Sequence, residues 1–439
     1  MVITLKRKIL IRFGDLMLKG KNINFFIKRV RVHVQNKLSD LDVSFKFEHD
    51  RIYIDYIIED EKELVRRLKQ IPGIFSFSIV YLASHEIDEI VAVSIELLKQ
   101  EIDRPYKTFK VETKRADKSF PLTSLEMSRK IAPMILSQVD KKLVVDVKHP
   151  EEILNVEIRK EHTYIYLSSI KGMGGFPYGT GGKGLMMMSG GIDSPVASYL
   201  AMKQGIEIEL IHFESTPLTP LESTQKVIDL AKVLANYTQD GKIKLHIIPF
   251  GEMHQEILKN VFDPYIITVM RRMMYRMAER YAQKYRILAL LNGESVGQVA
   301  SQTLYSMGVV EAVTKLPILR PLITYDKQEI IDISKMIETY KISIKPFNDC
   351  CSIYVPRNPV TKPWEIYAKK YEQTFDYEPI IEKAISEVMS LDISASTDID
   401  LTAHGFSVKE AYQNYMKTKG DSNWWLFPNK INNLRYGKN

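Results

Sequence analysis

The stretch Lys183-Gly-Leu-Met-Met-Met-Ser-Gly-Gly-Ile-Asp-Ser-Pro-Val-Ala197 combines an apolar run, a Ser-Gly-Gly turn and the start of a helix. We expect Ser194 to be the N-cap, Pro195 the first helical residue and Gly205 the residue that ends the helix. A glycine turn between a strand and a helix presents unpaired backbone N–H groups and the positive end of a helix dipole. The stretch therefore predicts a loop that binds phosphate or pyrophosphate.

Two commoner nucleotide motifs do not fit this region. The spelling G-x-G-x-x-G occurs at 179–184, but it precedes the apolar run, whereas a dinucleotide site needs it after a strand and at a helix start. A Walker loop is excluded because Pro177 stands six residues before Lys183 and Gly184 follows it, where Ser or Thr is required. The remaining pattern, Ser-Gly-Gly-x-Asp-Ser at 189–194, resembles the pyrophosphate loop of the ATP pyrophosphatases. Those enzymes cleave ATP between the α- and β-phosphates and adenylate a carbonyl oxygen; an ordinary strand-to-helix turn is the alternative.

Composition indicates a globular protein with more than one core. The chain has 439 residues, of which 45% are hydrophobic and 26% charged. Its first residues lack the long apolar stretch of a signal peptide, and no apolar run of about 18 residues occurs, so we expect a cytoplasmic protein with no membrane association. The two cysteines, Cys350 and Cys351, are adjacent, which excludes a disulfide framework and zinc-finger spacing.

The positive charge lies mostly in the first part of the chain. The net charge is +7, and residues 1–171 contain 31 Lys and Arg against 25 Asp and Glu. An excess of this kind suits a polyanion partner, although a mild excess is often only a solvated surface.

Hydrophobic periodicity predicts a small β-α-β-β-α pattern in residues 1–75, with strands at 43–47 and 51–56. It also predicts a second α/β segment in residues 76–171, which includes a helix at 87–100. In residues 172–392 strands and helices alternate, and the almost wholly apolar run Ile287–Leu291 suits a buried parallel strand. We therefore predict a doubly wound α/β sheet with ligands at the carboxyl ends of its strands. Residues 393–439 form a C-terminal extension of unknown role.

A basic stretch in the second segment is interleaved with the aromatic residues Tyr106, Phe109 and Phe120. Basic and aromatic side chains together suit an RNA backbone and unstacked bases, whereas a solvated face over buried aromatics is the alternative. The predicted RNA-binding residues are Lys110, Lys114, Arg115, Lys118 and Arg129.

The order of these parts, with a glycine-rich linker at 171–183 before the loop, resembles the tRNA 4-thiouridine sulfurtransferases that also serve thiamine biosynthesis. The resemblance covers about residues 1–390. It implies a ferredoxin-like domain at 1–75, a THUMP RNA-binding domain at 76–171 and an ATP-pyrophosphatase domain at 172–392. It also implies an enzyme that adenylates uridine 8 of tRNA with ATP and then transfers persulfide sulfur to form 4-thiouridine.

The resemblance and the strand ends together suggest the nucleotide site. The residues expected to contact ATP are Met187, Met188, Ser189, Gly190, Gly191, Asp193, Ser194, His212, Phe213, Arg271, Gly293 and Gln302. Asp193 is also the predicted catalytic ligand of Mg²⁺, although an acidic residue there also favours the helix dipole. From the residues alone, His212 also fits a core histidine. Arg271 and Arg272 lie opposite the methionines of a long predicted helix that ends near Lys284, where helical arginines are usually solvated.

The sulfur chemistry is expected at the cysteine pair. In the resembled family a cysteine at this place carries or attacks sulfur, and pairing Asp349-Cys-Cys with its motif favours Cys351 over Cys350. The reactive species is the thiolate, which Lys345 or Arg357 would favour; buried inert thiols are the alternative. No cysteine follows Cys351, so the rhodanese cysteine of some members is missing. The terminal sulfur is therefore expected from an external cysteine desulfurase.

Four further points stay open in the sequence. A thiazole-pathway sulfur-carrier protein is an additional partner that the resemblance implies, and a homodimer is one candidate assembly. An amide-forming ATP pyrophosphatase that uses ammonia is a second enzyme hypothesis. A non-catalytic RNA-binding protein with a vestigial nucleotide fold is the hypothesis from a different class.

Overall fold

The computed structural model describes residues 6–102, 107–139, 143–299, 301–349, 353, 356, 358–402 and 404–418. The chain divides into two compact units between Pro177 and Tyr178.

Unit 1 is built on one mixed sheet. Its strands are β1 (Arg7–Arg12), β2 (Val43–Phe47), β3 (Arg51–Tyr56), β4 (Ser76–Ala83), β5 (Thr108–Arg115), β6 (Val144–Val145), β7 (Glu152–Ile158), β8 (Thr163–Tyr166) and β9 (Ile170–Lys171). Its helices are α1 (Ile23–Lys37), α2 (Glu61–Leu68), α3 (Ile87–Glu101) and α4 (Ser124–Leu136). The strand order is β2-β3-β1-β4-β8-β7-β5-β6, with β9 also paired to β4.

The first six elements, β1-α1-β2-β3-α2-β4, form a ferredoxin-like arrangement in which β1 lies between β3 and β4 and pairs antiparallel with both. This confirms the predicted pattern, since the strands at 43–47 and 51–56 have the expected bounds. The sheet then continues without a break through β8 and β7 to β5. The bounds of 75 and 171 stay predictions, because the ferredoxin-like part and the segment after it share this sheet.

The glycine-rich stretch is bonded to unit 1 along its first residues. Gly172 N donates to Phe75 O at 2.9 Å and Gly174 N donates to Ile74 O at 2.8 Å. A Cβ atom at Gly172 would lie 2.2 Å from Ile74 O, so only glycine fits there. The units thus divide six residues after the predicted bound at 171, and the last linker residue, Lys183, already belongs to a strand of unit 2.

Unit 2 has the predicted doubly wound sheet. Its strands are β10 (Lys183–Met187), β11 (Glu207–Glu214), β12 (Lys242–Pro249), β13 (Ala289–Leu291), β14 (Ile318–Leu319) and β15 (Met389–Ser394), in the order β14-β13-β10-β11-β12-β15. Neighbours from β14 to β12 are parallel, and β15 adds one antiparallel edge strand. Its helices are α5 (Asp193–Lys203), α6 (Leu221–Ala235), α7 (Gly251–Asn260), α8 (Ile266–Lys284), α9 (Leu304–Glu311), α10 (Lys327–Met336), α11 (Tyr340–Ser343), α12 (Glu365–Glu372), α13 (Glu378–Ser386) and α14 (Val408–Thr418).

Helix α8 packs its methionines into the core as its periodicity predicts. Met270, Met273 and Met277 have no exposed surface. The expectation that Arg272 is solvated is wrong: its side chain is 1% exposed because Glu372 of α12 accepts two hydrogen bonds from the guanidinium, at 2.6 and 3.1 Å. A buried guanidinium is tolerated only with such a partner.

The C-terminal extension begins inside unit 2. Strand β15 crosses the predicted bound at 392 and pairs with β12. The following residues contact α6, where Gln225 donates to Ile399 O at 3.0 Å and accepts from Leu401 N at 2.9 Å. Residues 389–402 therefore complete the edge of this sheet.

Among the described residues, no helix combines the length and the apolar character that crossing a membrane would require.

Candidate active site

The predicted phosphate loop lies between β10 and α5, at the carboxyl end of a central strand. The expectation that Ser194 caps the helix is wrong, because α5 begins at Asp193 and its N-cap, Ile192, already has helical backbone angles. Ser194 is instead cross-linked to the loop: its Oγ accepts from Ser189 N at 3.1 Å and donates to Ser189 O at 2.9 Å. The hydroxyl thus fixes the loop from inside the first helical turn.

Two neighbouring strand ends bring four of the predicted nucleotide residues together. Met187 and Met188 end β10, and His212 and Phe213 lie near the end of β11, which is parallel to it. His212 Nδ1 lies 3.0 Å from Met188 O, so the ring donates from Nδ1 and a neutral imidazole keeps Nε2 as an acceptor. Met188, His212 and Phe213 are buried, with at most 5% of their surface exposed.

Gly293 lies directly against the start of α5. A Cβ atom at this position would be 2.8 Å from both Asp193 C and Ser194 N. The loop after β13 therefore approaches the start of α5 backbone to backbone, and a side chain at position 293 would not fit there.

Arg271 is not solvated, because Glu294 and a backbone carbonyl hold it. Its guanidinium forms an ion pair with Glu294 and donates to Ser301 O at 2.8 Å. Glu294 is 6% exposed and also accepts from Arg320 at 2.9 Å. Nearby in sequence, Gln302 has a buried Oε1 that finds no hydrogen-bond partner within the described part of the chain.

Asp193 has two polar partners. Lys327 Nζ, from the first residue of α10, lies 2.7 Å from Asp193 Oδ1, and Gln298 donates to Oδ2 at 3.1 Å. The described residues contain no group of three or more His, Cys, Asp or Glu side chains able to hold a metal ion. Mg²⁺ commonly binds one or two carboxylates together with substrate phosphates, so Asp193 fits this ion only in combination with a triphosphate.

The predicted cysteines, Cys350 and Cys351, lie outside the described residues, as does Arg357. The segment that leads to them is described and lies on the phosphate loop. Asp349 Oδ2 accepts from Gly190 N at 2.8 Å, and Ser343 Oγ donates to Gly191 O at 3.1 Å.

Helix α6 holds the same segment from the other side. Lys226 Nζ donates to Lys345 O at 2.9 Å and to Phe347 O at 3.2 Å, and Ser223 Oγ donates to Asn348 O at 2.8 Å. Burial lowers the pKa of Lys226, against the opposing effect of Asp349. Lys345 pairs with Asp229 of α6 at 3.3 Å, so its ammonium is engaged there.

Comparison with known proteins shows the family to which this chain belongs. The family model described as thiamine biosynthesis protein (ThiI) matches residues 179–377, a THUMP domain model matches 84–168, and a ThiI ferredoxin-like domain model matches 8–78. A probable tRNA sulfurtransferase from Acholeplasma laidlawii is 54% identical, over 94% of this chain and 99% of that protein. The chain belongs to the ThiI family of tRNA sulfurtransferases.

Two further relatives support membership of the ThiI family. A probable tRNA sulfurtransferase from Geobacillus sp. is 45% identical, over 89% of this chain and 97% of that protein. The crystal structure of a 4-thiouridine synthetase–RNA complex with bound ATP is 35% identical, with a TM-score of 0.79, over 89% of this chain and the whole of that one. The predicted family and the predicted fold class, with ferredoxin-like, THUMP and ATP-pyrophosphatase domains, are thereby confirmed.

The basic residues predicted in the THUMP region of this ThiI family member divide into two groups. Lys114, Lys118 and Arg129 are exposed. Lys110 pairs with Glu112 at 2.8 Å, and Arg115 donates to Phe120 O at 3.0 Å, which holds the turn after β5. The proposed RNA contacts stay predictions for all five, but Arg115 has a structural role as well.

The sequence also predicted exposed aromatic side chains that stack on RNA bases. This prediction is wrong for Phe109, which is 1% exposed. Along β5 the side chains alternate, so Phe109 faces the core between the sheet and helices α3 and α4. Phe120 also packs against this core, and Tyr106 lies outside the described residues.

Sequence reasoning missed four polar residues of the ThiI-family site: Gln298, Lys327, Lys226 and Glu294. Lys327 and Gln298 lie 134 and 105 residues from their partner Asp193, so no local pattern pairs them. The available signal was weak: Lys226 occupies a core-facing position of a predicted amphipathic helix, where a lysine needs a buried acceptor.

Proposed function

We propose that this protein is an ATP-dependent tRNA sulfurtransferase that converts uridine 8 of tRNA into 4-thiouridine. The observation that carries this proposal is that Asp349, the residue before the cysteine pair, bonds directly to the phosphate loop at Gly190 N. An activating loop and a sulfur-carrying segment are thus adjacent in one unit. Sulfur transfer to an unreactive carbonyl needs this combination, because the oxygen must first become a good leaving group.

In the first step uridine O4 attacks the α-phosphorus of ATP and pyrophosphate leaves. The N–H groups at the N-terminus of α5, and that of Gly190 once Asp349 has left it, are suited to hold the phosphates. We assign Met187, Met188, His212 and Phe213 to the adenosine side of the site, since they lie at adjacent strand ends beside the loop. Gly293 lets the loop after β13 lie close to the start of α5, and the buried Oε1 of Gln302 offers a hydrogen-bond acceptor.

The charge that develops on the phosphates must be balanced. We assign this role to Arg271, which Glu294 orients, and to Lys327, which lies beside Asp193. Mg²⁺, when bound with the triphosphate, would neutralise part of that charge, and Asp193 is the residue proposed to hold it.

In the second step the terminal sulfur of a cysteine persulfide attacks C4 and AMP leaves with the former O4. A thiolate then attacks the enzyme sulfur of the resulting disulfide, which leaves sulfur on the ring and forms a new disulfide. A thiol reductant must restore the enzyme. We propose Cys351 as the persulfide carrier and Cys350 as a second catalytic thiol, with a cysteine desulfurase as the persulfide donor.

tRNA is the proposed partner of unit 1, through Lys110, Lys114, Arg115, Lys118 and Arg129 of the THUMP region. Since tRNA is the substrate, we expect the protein to act in the cytoplasm. Supply of sulfur to a thiazole-pathway carrier protein and assembly as a homodimer remain parts of the proposal.

The test of the first step is release of pyrophosphate from ATP by the full chain with unmodified tRNA transcripts. We expect release that requires uridine at position 8 and stops when cytidine replaces it. Equal release with both transcripts, or release that requires ammonia and no tRNA, would contradict the proposal and favour an amide-forming enzyme.

A further inference from the structure

The carboxylate of Asp349 occupies a position suited to a phosphate oxygen. Asp349 Oδ2 lies 2.8 Å from Gly190 N, and this N–H belongs to the loop that the proposed function assigns to the triphosphate. Backbone N–H groups of such a turn bind anions without regard to their source. A side-chain carboxylate of the same chain is therefore a competitor for the bound phosphate.

The competition is strict because the junction is tightly packed. A Cβ atom at Gly190 would lie 2.7 Å from Lys226 Cε and 3.3 Å from Asp349 Oδ1. Two anions at one N–H donor also repel each other, and a partly buried site screens this repulsion less than bulk water does. Phosphate at Gly190 thus requires Asp349 to leave.

Departure of Asp349 is transmitted to the segment that carries the cysteines. Cys350 follows Asp349 directly in the chain. The residues before it stay fastened to α6 by Lys226 and Ser223 and to Gly191 by Ser343. The anchors upstream keep the segment beside the loop, so Asp349 is the contact that must break.

We propose that Asp349 is a positioning residue that binds Gly190 when the phosphate loop holds no nucleotide and yields to the phosphates when ATP binds. This inference rests on the proposed function, because it requires ATP in the loop. Its consequence is an order of events: Asp349 leaves Gly190 N only after the nucleotide has arrived, while the residues before it stay fastened to α6. By thermodynamic linkage, the factor by which the Asp349–Gly190 bond weakens nucleotide binding equals the factor by which bound nucleotide weakens that bond.

The test is nucleotide affinity of the full chain, measured by calorimetry with a non-hydrolysable ATP analogue. Asp349→Asn weakens the internal competitor, so we expect binding about tenfold tighter, the effect of one charge-assisted hydrogen bond. Asp376→Asn is the matched control, since it removes the same charge at an exposed site of unit 2, and its affinity should equal wild type. Unchanged or weaker binding in Asp349→Asn would overturn the inference; weaker binding would mean that Asp349 is a ligand of the nucleotide or its metal.

A second measurement follows the reactivity of the two cysteines. We expect inorganic pyrophosphate to change the alkylation rate of the cysteine peptide in the wild-type chain severalfold, and to have no effect in Asp349→Asn. An equal response in both proteins would contradict the positioning role. If the wild-type chain binds neither ATP analogue nor pyrophosphate, the proposed function fails and the inference with it. If nucleotide binds with the same affinity in the wild-type chain and in Asp349→Asn, the inference fails and the proposed function stands.

Discussion

Asp193 shows how one side chain at the loop combines charge and position. Its carboxylate lies at the first residue of α5, where an acidic group favours the helix dipole, and it also pairs with Lys327 and accepts from Gln298. The Asp193 and Lys327 side chains are 24% and 44% exposed, so their ion pair contributes little to stability. We therefore expect this carboxylate to matter for the reaction more than for stability.

Asp193→Asn should lower tRNA-dependent pyrophosphate release by about 100-fold or more while changing the free energy of unfolding by less than about 1 kcal/mol. Steady-state release and urea unfolding measure the two effects. Asp332→Asn, on the exposed face of α10, is the control and should keep the wild-type rate. A wild-type rate in Asp193→Asn would remove Asp193 from the site.

The residue scale also shows where sequence reasoning stopped. The loop Ser189–Ser194 was predictable because its residues are contiguous and each has a local reason to be there. The bond from Gly190 to Asp349 spans 159 residues, and no periodicity pairs residues so far apart. The N-cap prediction was wrong because the Ser194 hydroxyl bonds Ser189 N and O in the loop and does not cap the helix.

Among the elements, the contact between α8 and α12 depends on a buried ion pair. Arg272 and Glu372 are 1% and 3% exposed, and Glu372 also pairs with Arg276 at 3.2 Å. Removal of one partner leaves an uncompensated charge in the core.

Glu372→Gln should therefore lower the free energy of unfolding by about 3–5 kcal/mol. Glu365→Gln, on the same helix and paired with the exposed Lys369, should change it by less than about 0.5 kcal/mol. Urea unfolding of both variants gives the comparison. Similar small losses in both would mean that Arg272 is solvated in solution.

The sheet of unit 2 carries a second buried charge, Glu209 of β11. Burial raises its pKa, but hydrogen bonds from His246 at 3.0 Å and Lys183 at 2.7 Å outweigh this effect and bring the pKa to about 2. The folded pKa is below the unfolded value, so this stabilisation is present above about pH 4.5 and is lost as the pH falls towards 2.

The stability difference between wild type and Glu209→Gln should therefore shrink by roughly 1–2 kcal/mol between about pH 5 and about pH 3.5. Urea unfolding at the two pH values measures it. Glu207→Gln, on the same strand but 43% exposed, should show a difference that does not vary with pH. A constant difference for Glu209→Gln would contradict the lowered pKa.

The elements themselves were largely predictable. Strands β2 and β3 and helix α3 have the expected bounds within a residue, because their periodicity is clear and turn residues flank them. Helix α7 and strand β15 were not predicted. Strand β15 is an edge strand with a weak pattern, and its place is set by β12, more than 140 residues earlier in the chain.

For the whole molecule, the distribution of charge suits RNA binding by unit 1. Lys114, Lys118 and Arg129 are exposed, and exposed cations near phosphates give affinity that falls with salt. The shared sheet of unit 1 was not predictable from the sequence, because the pairing of β1 with β4 joins the two segments, 1–75 and 76–171, that periodicity treats separately.

Replacement of these three residues by alanine should weaken tRNA binding and reduce the salt slope of log K by about 2, since each phosphate contact contributes about 0.7 to 0.9. Filter binding over a range of salt concentrations measures the slope. The control replaces the exposed Lys259, Lys370 and Lys409 of unit 2 and removes the same charge. Equal slopes for the two triple variants would place the RNA contacts elsewhere.

The central claim is that the phosphate loop activates uridine for sulfur carried by the cysteine pair. Mass spectrometry of tRNA after incubation with the protein, ATP, Mg²⁺, cysteine, a cysteine desulfurase and a thiol reductant tests it directly. We predict 4-thiouridine at position 8 with the wild-type chain and none with Cys351→Ser, while pyrophosphate release continues. Undiminished 4-thiouridine with Cys351→Ser would contradict the role of Cys351, and no 4-thiouridine with the wild-type chain would contradict the account as a whole.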